Sequence, residues 1–361
     1  MRARIPALLV LGCLVTVACS RTEPGGPAPS AQGIPPGVLR LEGSPRDIGT
    51  QHGSLLADRI RTMIAEYVGQ DMAAGRLNDH ALARVRAIKP ALPEWYLEEL
   101  AACAKAAQVD EDALLYAQCE GDIKSLGGCT SYVAFGPATA DGAMEIGRNF
   151  DYWGLASTEK CVMVFAFVPR PKDGHAFVAV GWTGILGGWT LLNDHGLFIS
   201  NNLGGFGEKN AEGVPTLIVT RILAQKAASL DEAIAIIKKT PRMRGQALVI
   251  GQTGDVRTGT AADAAVVLYD GARVEVSRVT NGFAFHSSIG TDRDRLLETF
   301  RLPNRAPTDA IRSAGTYITL HSVAIRPGED ALWVAHGRKP SAHLGEYVRH
   351  DFRSLLAPVA P

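Results

Sequence analysis

The run Gly127-Gly128-Cys129-Thr130-Ser131 stands where one kind of patterning stops and another begins. Upstream, from Ser44 to Val68, Ile48, Leu55, Leu56, Ile60 and Ile64 recur with helical spacing behind Ser44 as N-cap, Pro45 at the first helical position and Asp47 three residues after the cap. Asn78 to Ile88, Pro93 to Ala107 and Asp110 to Ala117 repeat the scheme with alanine-rich apolar faces, so the chain before Gly127 is predicted almost wholly helical. Downstream the texture is β. Ser131 to Phe135, Met144 to Arg148, Val162 to Val168, Ala176 to Trp182, Leu191 to Leu192 and Leu197 to Ser200 are short runs rich in Val, Phe, Ile and Trp, separated by Gly, Asp-Gly and Asn-Asp turns, which predicts a meander of antiparallel strands. Two helices follow, near Pro215 to Ala228 and Ser229 to Lys239, then strands at Ala247 to Ile250, Ala265 to Tyr269, Arg273 to Val279 and Phe283 to Phe285. Helices near Asp292 to Phe300 and Pro307 to Tyr317 lead to strands at Ser322 to Ile325, Leu332 to Ala335 and Glu346 to Phe352. Strand runs punctuated by helix pairs imply an α+β layered arrangement with antiparallel sheets rather than a doubly wound parallel sheet.

The chemistry of the junction points the same way. Gly-Gly before a cysteine lets the backbone take up conformations closed to other residues. A thiol there can attack the preceding carbonyl, move the acyl group from nitrogen to sulfur and leave a thioester that water cleaves. The product is a free α-amine on Cys129 beside its own thiol. An α-amine has a pKa of about 7.7–8.0, so it takes the thiol proton near neutrality and one residue supplies both nucleophile and base. Without that reaction, Cys129 would be an inert buried cysteine at the start of a strand.

Gly128-Cys129-Thr130-Ser131, followed by Ala140-Asp141-Gly142 and Gly147-Arg148-Asn149-Phe150-Asp151, resembles the acyl-coenzyme A:isopenicillin N acyltransferase-like family of autoproteolytic N-terminal nucleophile hydrolases, related to the penicillin V and bile-salt hydrolases. Glu42-Gly43-Ser44-Pro45-Arg46-Asp47-Ile48-Gly49 leading to Gln51-His52-Gly53 is similar to the family's opening helix, and Asn193-Asp194-His195-Gly196-Leu197 to its Asn-Glu-x-Gly-Leu turn. Leu320-His321-Ser322-Val323 and Trp333-Val334-Ala335-His336-Gly337 extend the resemblance, which covers about residues 38 to 352. It implies a four-layer αββα sandwich and hydrolysis or exchange of amide bonds in small molecules, with cleavage between Gly128 and Cys129. One structural domain, 38–361, would then hold a helical smaller chain, 38–128, and a catalytic larger chain, 129–361, intertwined in one core. Arg148 and Asp151 match the family's Arg-x-x-Asp. Arg148 would lower the thiol pKa by its fixed charge and Asp151 would hold the α-ammonium or its proton; the alternative is a salt bridge in a β-turn. Asn201 or Asn202 falls where relatives supply a donor to the tetrahedral oxyanion, though adjacent asparagines are also ordinary turn formers. Two departures bear on the pocket. Gln246 stands near where relatives carry an Asn, and is a possible oxyanion donor in its place, the alternative being that the contribution is lost; His286-Ser287-Ser288 is a reduced form of the family's His-Thr-Asn-His. Phe135, Phe150, Trp153, Trp182 and Trp189 would suit an acyl group, or serve as ordinary sheet filling.

Composition excludes several classes. The chain has 37 basic and 37 acidic residues and 46% hydrophobic content, so it can bury a large core and lacks the charge surplus that drives nucleic-acid binding. There is no Gly-x-Gly-x-x-Gly opening a helix and no phosphate loop, and the nine histidines form no His-x-x-x-His or His-Glu-x-x-His, so neither cofactor nor metal is implied. Arg2, Arg4 and the apolar run Ile5 to Val17 read as an export signal over 1–19. Thr16-Val17-Ala18-Cys19 resembles a lipobox, so Cys19 is the expected lipidation site, with a plain secretory signal as the alternative; 20–37, rich in Pro, Gly, Ala and Ser, would be a tether, and the lipid the only membrane contact. Cys103 and Cys119 are left open as a disulfide pair. Two rivals to the self-cleaving reading are a papain-like enzyme pairing Cys129 with His195, His286 or His321, and a tethered binding lipoprotein of the same fold without catalysis.

Overall fold

The computed structural model describes residues 37–75, 78–123, 127–153, 156–204, 207–254 and 260–357. The export signal, Cys19 and the tether up to residue 36 lie outside the described residues. The described residues begin with β1 (Val38–Gly43), a strand absent from the sequence reading. It then enters α1 (Pro45–Leu55), whose capping box is realised: Ser44 Oγ accepts from the Asp47 N–H while the Asp47 carboxylate accepts from the Ser44 N–H. The expected helix to Val68 breaks at Leu56 and resumes as α2 (Ala57–Met63), a π turn at Ile64–Val68 and α3 (Gly69–Ala73). The helical half continues as α4 (Asp79–Ala87), α5 (Glu94–Ala107), α6 (Glu111–Gln118) and α7 (Glu120–Ile123), close to its predicted bounds. Gly49 and Gly53 let α1 lie against α5: a Cβ at either would sit 2.2 Å from Glu99 O or 2.4 Å from Cys103 O.

After the junction come β2 (Gly128–Ala134), β3 (Glu145–Asp151), α8 (Ala156–Cys161), β4 (Val162–Pro169), β5 (Phe177–Trp182), β6 (Thr190–Asn193) and β7 (Leu197–Asn202). The helix pair α9 (Thr216–Lys226) and α10 (Leu230–Lys239) precedes β8 (Gln246–Gln252), β9 (Asp263–Tyr269), β10 (Val274–Arg278) and β11 (Phe283–Ser287). The chain closes with α11 (Arg293–Phe300), α12 (Asp309–Ser313), β12 (Thr319–Arg326), β13 (Ala331–His336), β14 (Val348–Asp351) and α13 (Phe352–Leu356).

The single meander expected downstream of Gly128 is divided between two sheets. β4 to β10 do run as a meander, in an eight-stranded sheet ordered β1-β4-β5-β6-β7-β8-β9-β10, whereas β2 and β3 belong to a six-stranded sheet ordered β11-β2-β3-β12-β13-β14. Every pairing is antiparallel except β1 with β4, which is parallel. That exception follows from the chain path, because the whole helical half and two strands of the other sheet intervene and supply the long crossover a parallel pair needs. His52 of α1 packs on Phe165 of β4 at 5.1 Å between ring centroids, and Arg221 of α9 lies over Phe167, so α1, α5 and α9 cover the outer face of the first sheet. Phe300 of α11 packs edge-on against Tyr132 of β2 at 4.9 Å, which covers the outer face of the second. The result is an α+β sandwich of helices, sheet, sheet and helices, as the resemblance implied. Of the described helices, none is long and apolar enough to cross a membrane. Cys103 and Cys119 are both free, buried thiols, so the pairing left open by the sequence is not made here.

The helix–sheet seam carries a pH-sensitive group. His52 is fully buried, its Nε2 accepting from the Gly184 N–H at 3.0 Å, and burial followed by the Arg221 charge pushes its pKa down to about 3. A base with a lowered folded pKa contributes stability that is fully present above its unfolded pKa of about 6.5 and is lost as pH falls through the folded value. Urea unfolding is expected to show wild type losing about 2 kcal/mol between pH 6.5 and 4.5 from this group, with His52→Gln removing that part of the slope. An unchanged slope in the variant would assign acid sensitivity to the other histidines.

Candidate active site

Register places the residues before any side chain is considered. Across β2 and β3, Cys129 faces Phe150, Ser131 faces Arg148 and Gly128 faces Asp151. Cys129, Ser131, Arg148 and Phe150 therefore share the face turned toward the other sheet, and Arg148 is the diagonal neighbour of Cys129, within reach of a long side chain. Its Nη2 donates to Cys129 Sγ at 3.1 Å and to Asn201 O at 3.0 Å, its Nη1 donates to His321 Nε2 at 2.9 Å, and the guanidinium sits 4.7 Å from the Phe150 ring centroid. Arg148 is wholly buried, so this cation is held against the sulfur without water to screen it.

Burial nevertheless dominates the thiol. It pushes Cys129 up to about 11, against the pull of the Arg148 charge and of the Asp151 and Leu203 backbone N–H groups, while the Asp151 charge adds to the rise. In the uncut chain the thiol is thus protonated at neutral pH. Asp151 is addressed from the opposite side. Its Oδ1 accepts from the hydroxyls of Thr316 at 2.8 Å and Thr319, and burial raises its pKa despite these bonds; its Oδ2 is buried with no hydrogen-bond partner. One carboxylate oxygen of Asp151 is thus fixed and one unspent, on the residue that pairs with Gly128.

The two asparagines separate. Asn201 lines a small cavity of about 30 Å³ with Gly121, Gly127, Gly128, Cys129, Phe150, Trp189 and Gln246. Asn202 points elsewhere, its Oδ1 accepting from Ser131 Oγ at 2.9 Å. Gln246 is also at the cavity, where its Nε2 donates to Gly121 O at 2.8 Å, and a Cβ on Gly121 would stand 3.9 Å from both Asn201 Nδ2 and Gln246 Nε2. Both amide groups thus stand next to Gly121 of α7, the last described helix before the junction, and Gln246 bonds its carbonyl. Of the aromatics, Phe150 and Trp189 line the cavity and Trp182 packs behind them, 4.7 Å from Trp189. Trp153 is instead exposed against Tyr317, and Phe135 lies past the far end of β2, bonded to Gly282.

Sequence reasoning missed Ser288, Thr316 and Thr319. Ser288 Oγ accepts the Cys129 N–H at 2.9 Å and its own N–H donates to Cys129 O at 3.0 Å, so the shortened His286-Ser287-Ser288 stretch still fixes the Cys129 backbone. No spacing could have announced these contacts, which join segments about 160 residues apart. Among the described residues, none of His195, His286 and His321 is hydrogen-bonded to Cys129. His321 spends its Nε2 on Arg148, His286 sits on β11 beside Ser131, and His195 stands on the β6–β7 turn against His175.

Residues 138–283 match the family model of acyl-coenzyme A:6-aminopenicillanic acid acyl-transferase. Over this segment the chain is similar to that family. The segment contains Arg148, Asp151, Asn201, Asn202 and Gln246 and begins after Gly128 and Cys129, so the junction itself rests on its geometry. An uncharacterized protein of Archaeoglobus fulgidus is 23% identical over 237 residues, 57% of this chain and 39% of that protein, so the match spans about two fifths of the relative's length. Among solved structures, the chain is similar to a Caenorhabditis elegans N-acylethanolamine-hydrolyzing acid amidase ortholog, with 16% identity, TM-score 0.43 and coverage of 55% of this chain and 93% of that one. It is also similar to conjugated bile acid hydrolase from Clostridium perfringens, with 11% identity, TM-score 0.39 and coverage of 64% and 99%. Penicillin V acylase from Agrobacterium tumefaciens aligns at 13% identity and TM-score 0.37, covering 58% and 83%.

The glycines at the junction are demanded by close contacts. Gly127 has φ +124°, and a Cβ there would lie 2.0 Å from the Asp151 carbonyl oxygen. Gly127→Ala must therefore shift the backbone that presents Gly128 to the sulfur. If the chain cuts itself, this variant is expected to do so about 100-fold more slowly, as misplacement by about 1 Å commonly costs that factor. A time course on a denaturing gel checks it; an unchanged rate would show that the approach of Gly128 does not depend on this conformation.

Proposed function

We propose that the chain cuts itself between Gly128 and Cys129 and then acts as a cysteine amidohydrolase or acyltransferase on a small N-acyl amide. The observation that carries this reading is the Cys129 thiol held 3.1 Å from a buried arginine, with the amides of Asn201 and Gln246 on the same cavity. In the cutting step the thiolate attacks the Gly128 carbonyl carbon, the C–N bond breaks, the departing α-amine takes a proton, and water hydrolyses the thioester to a Gly128 carboxylate and a free Cys129 thiol. A cavity of about 30 Å³ holds about one water and no substrate, so the first amide within reach of the sulfur is the chain's own.

After the cut the α-amine is the base at the sulfur, Asp151 Oδ2 receives its proton or ammonium, and Asn201 and Gln246 donate to the tetrahedral oxyanion. Releasing the Gly121 carbonyl from Gln246 Nε2 would make room for an acyl group against Phe150 and Trp189. The signal pattern of residues 1–19 supports a place outside the cytoplasm, tethered through Cys19, where water is a readier acceptor than a coenzyme A thioester is a donor.

Intact mass and a denaturing gel of the matured protein test the reading. Two fragments, the larger beginning at Cys129, are expected. A panel of N-acyl amino acids with straight-chain and aromatic acyl groups then finds the substrate, and added hydroxylamine traps the thioester as a hydroxamate. A folded chain that stays whole would sink the mechanism and favour a binding lipoprotein.

A further inference from the structure

The β6–β7 turn carries a second constellation, remote in sequence terms from the nucleophile. β5 and β6 pair with Phe177 opposite Asn193, and the antiparallel register continues one step beyond the strands: the Asp194 N–H donates to Ala176 O at 2.9 Å, and Asp194 Oδ2 accepts from the Ala176 N–H at 3.2 Å. The next residues outward, His175 and His195, therefore face each other, their rings edge to face with centroids 4.2 Å apart. The remaining carboxylate oxygen, Asp194 Oδ1, lies 3.9 Å from both His175 Nδ1 and His195 Nε2.

We propose that His175, Asp194 and His195 bind one divalent transition-metal ion, with zinc the ion that best fits two imidazoles and a carboxylate. The three donor atoms lie within 4.8 Å of one another. Around a tetrahedral zinc with bonds of about 2.0–2.1 Å, neighbouring ligand atoms stand about 3.3 Å apart, so modest side-chain rotation closes the site. Among the described residues no hydrogen bond takes up His175 Nδ1, His195 Nε2 or Asp194 Oδ1. These three atoms converge and have nothing else to do.

The backbone beneath the donors is fixed in advance. Asn193 Oδ1 accepts from the N–H groups of His195 and Leu197 at 3.1 and 3.0 Å, while its Nδ2 donates to Ala224 O and Ala227 O. Gly196 turns the chain at φ +73°, and the His175 N–H donates to Gln225 O at 2.9 Å. A rigid turn and a pinned strand end hold the ligands without the ordering cost a mobile loop would add. A groove of about 1090 Å³ bordered by His175 and Asp194 gives the ion a route from solvent. Three protein ligands leave a fourth position for water, and the bound ion would staple the β6–β7 turn to the start of β5 and, through His175, to the end of α9.

The test uses tag-free, chelator-treated full chain titrated with Zn²⁺ by calorimetry and with Co²⁺ by visible absorption. One ion per chain and a Co²⁺ spectrum of nitrogen and oxygen ligation are expected. His175→Ala and His195→Ala should each weaken binding by more than about tenfold, since even an outer-shell partner's loss costs that much. Cys129→Ala should bind as wild type does. His195 is the more exposed imidazole and its ring makes no hydrogen bond among the described residues, so His195→Gln supplies a variant whose folding is safe if His175→Ala is unstable. Absence of saturable binding in wild type, undiminished binding in the His195 variants, or loss of binding in Cys129→Ala would each overturn the assignment.

Discussion

Cys129→Ala is expected to leave a single uncut chain and no amidase activity, a loss of at least about a thousandfold, because it removes the one group that both reactions share. Cys129→Ser should cut, if at all, far more slowly, since a hydroxyl gives up its proton much less readily than a thiol. The pH profile adds a second readout with a definite sign. Burial holds the uncut thiol at about 11, so throughout the range from pH 6 to 9 the thiolate is the minor form and grows about tenfold for each unit of pH. Self-cleavage limited by thiolate formation therefore accelerates as pH rises and stalls in acid. The mature enzyme should behave differently: its base is then the α-amine, with an ordinary pKa of about 7.7–8.0, and activity should level off near that value instead of climbing. Following cleavage by mass spectrometry and turnover by amine release, on the same preparation, separates the two profiles. A cut that persists in Cys129→Ala, or a cleavage rate indifferent to pH between 6 and 9, would remove the sulfur from the mechanism.

The order of elements was open to sequence reasoning because it rests on local rules. The Ser44-Asp47 capping box, the apolar spacing of Pro93 to Ala107 and the Val-rich runs after Cys129 each declare themselves within a few residues, and the structure places elements at all of them. Sheet membership was not open in the same way. Nothing local distinguishes β3, which pairs with β2 and β12, from β4, which pairs with β1 and β5, since the choice is made by what lies across the sheet. The site shows the same division. Arg148 and Asp151 could be tied to Cys129 by their resemblance to the family's Arg-x-x-Asp, and the structure puts Arg148 on the sulfur through the β2–β3 pairing. Asn201 and Asn202 could not be separated until the strand's alternation was anchored by the Ser131–Asn202 bond, which turns Asn201 toward the cavity. Ser288, Thr316 and Thr319 are common residue types arriving from distant segments, and their roles exist only in three dimensions. The same holds for His175 and His195, which no local spacing rule joins.

The largest stability effect is expected at Glu99 and Arg221, which tie α5 to α9 deep beneath the first sheet. Arg221 Nη1 and Nη2 donate to Glu99 Oε1 and Oε2 at 2.9 and 2.7 Å, Nε donates to Gln225 Oε1 at 3.0 Å, and Leu186 O accepts from Nη1. The guanidinium is roofed by Phe167 and Phe177, at 4.6 and 5.0 Å from their centroids, and both charges are sealed from water. Burial raises the Glu99 pKa in spite of its partner, so desolvation of the carboxylate outweighs what the arginine returns. The pair is therefore a poor source of net stability but an expensive thing to break. Arg221→Ala or Glu99→Ala alone should cost about 3–5 kcal/mol, because each strands the other charge in an apolar seam. Replacing both, Glu99→Leu with Arg221→Met, should cost less than either single change, since no charge is then left unpaired. Urea unfolding of the four proteins reads this coupling directly. The reading would fail if each single variant lay within about 1 kcal/mol of wild type, or if the two losses simply added. The site supplies a further control. Asp122 of α7 caps α9 through the Thr216 N–H and hydroxyl, so α9 carries the chain that leads to the junction, yet Glu99 and Arg221 touch none of the reacting groups. Below their melting range the variants should still cut at Cys129. A variant that stays folded but no longer cuts would make the position of α9 part of how Gly128 is presented to the thiol.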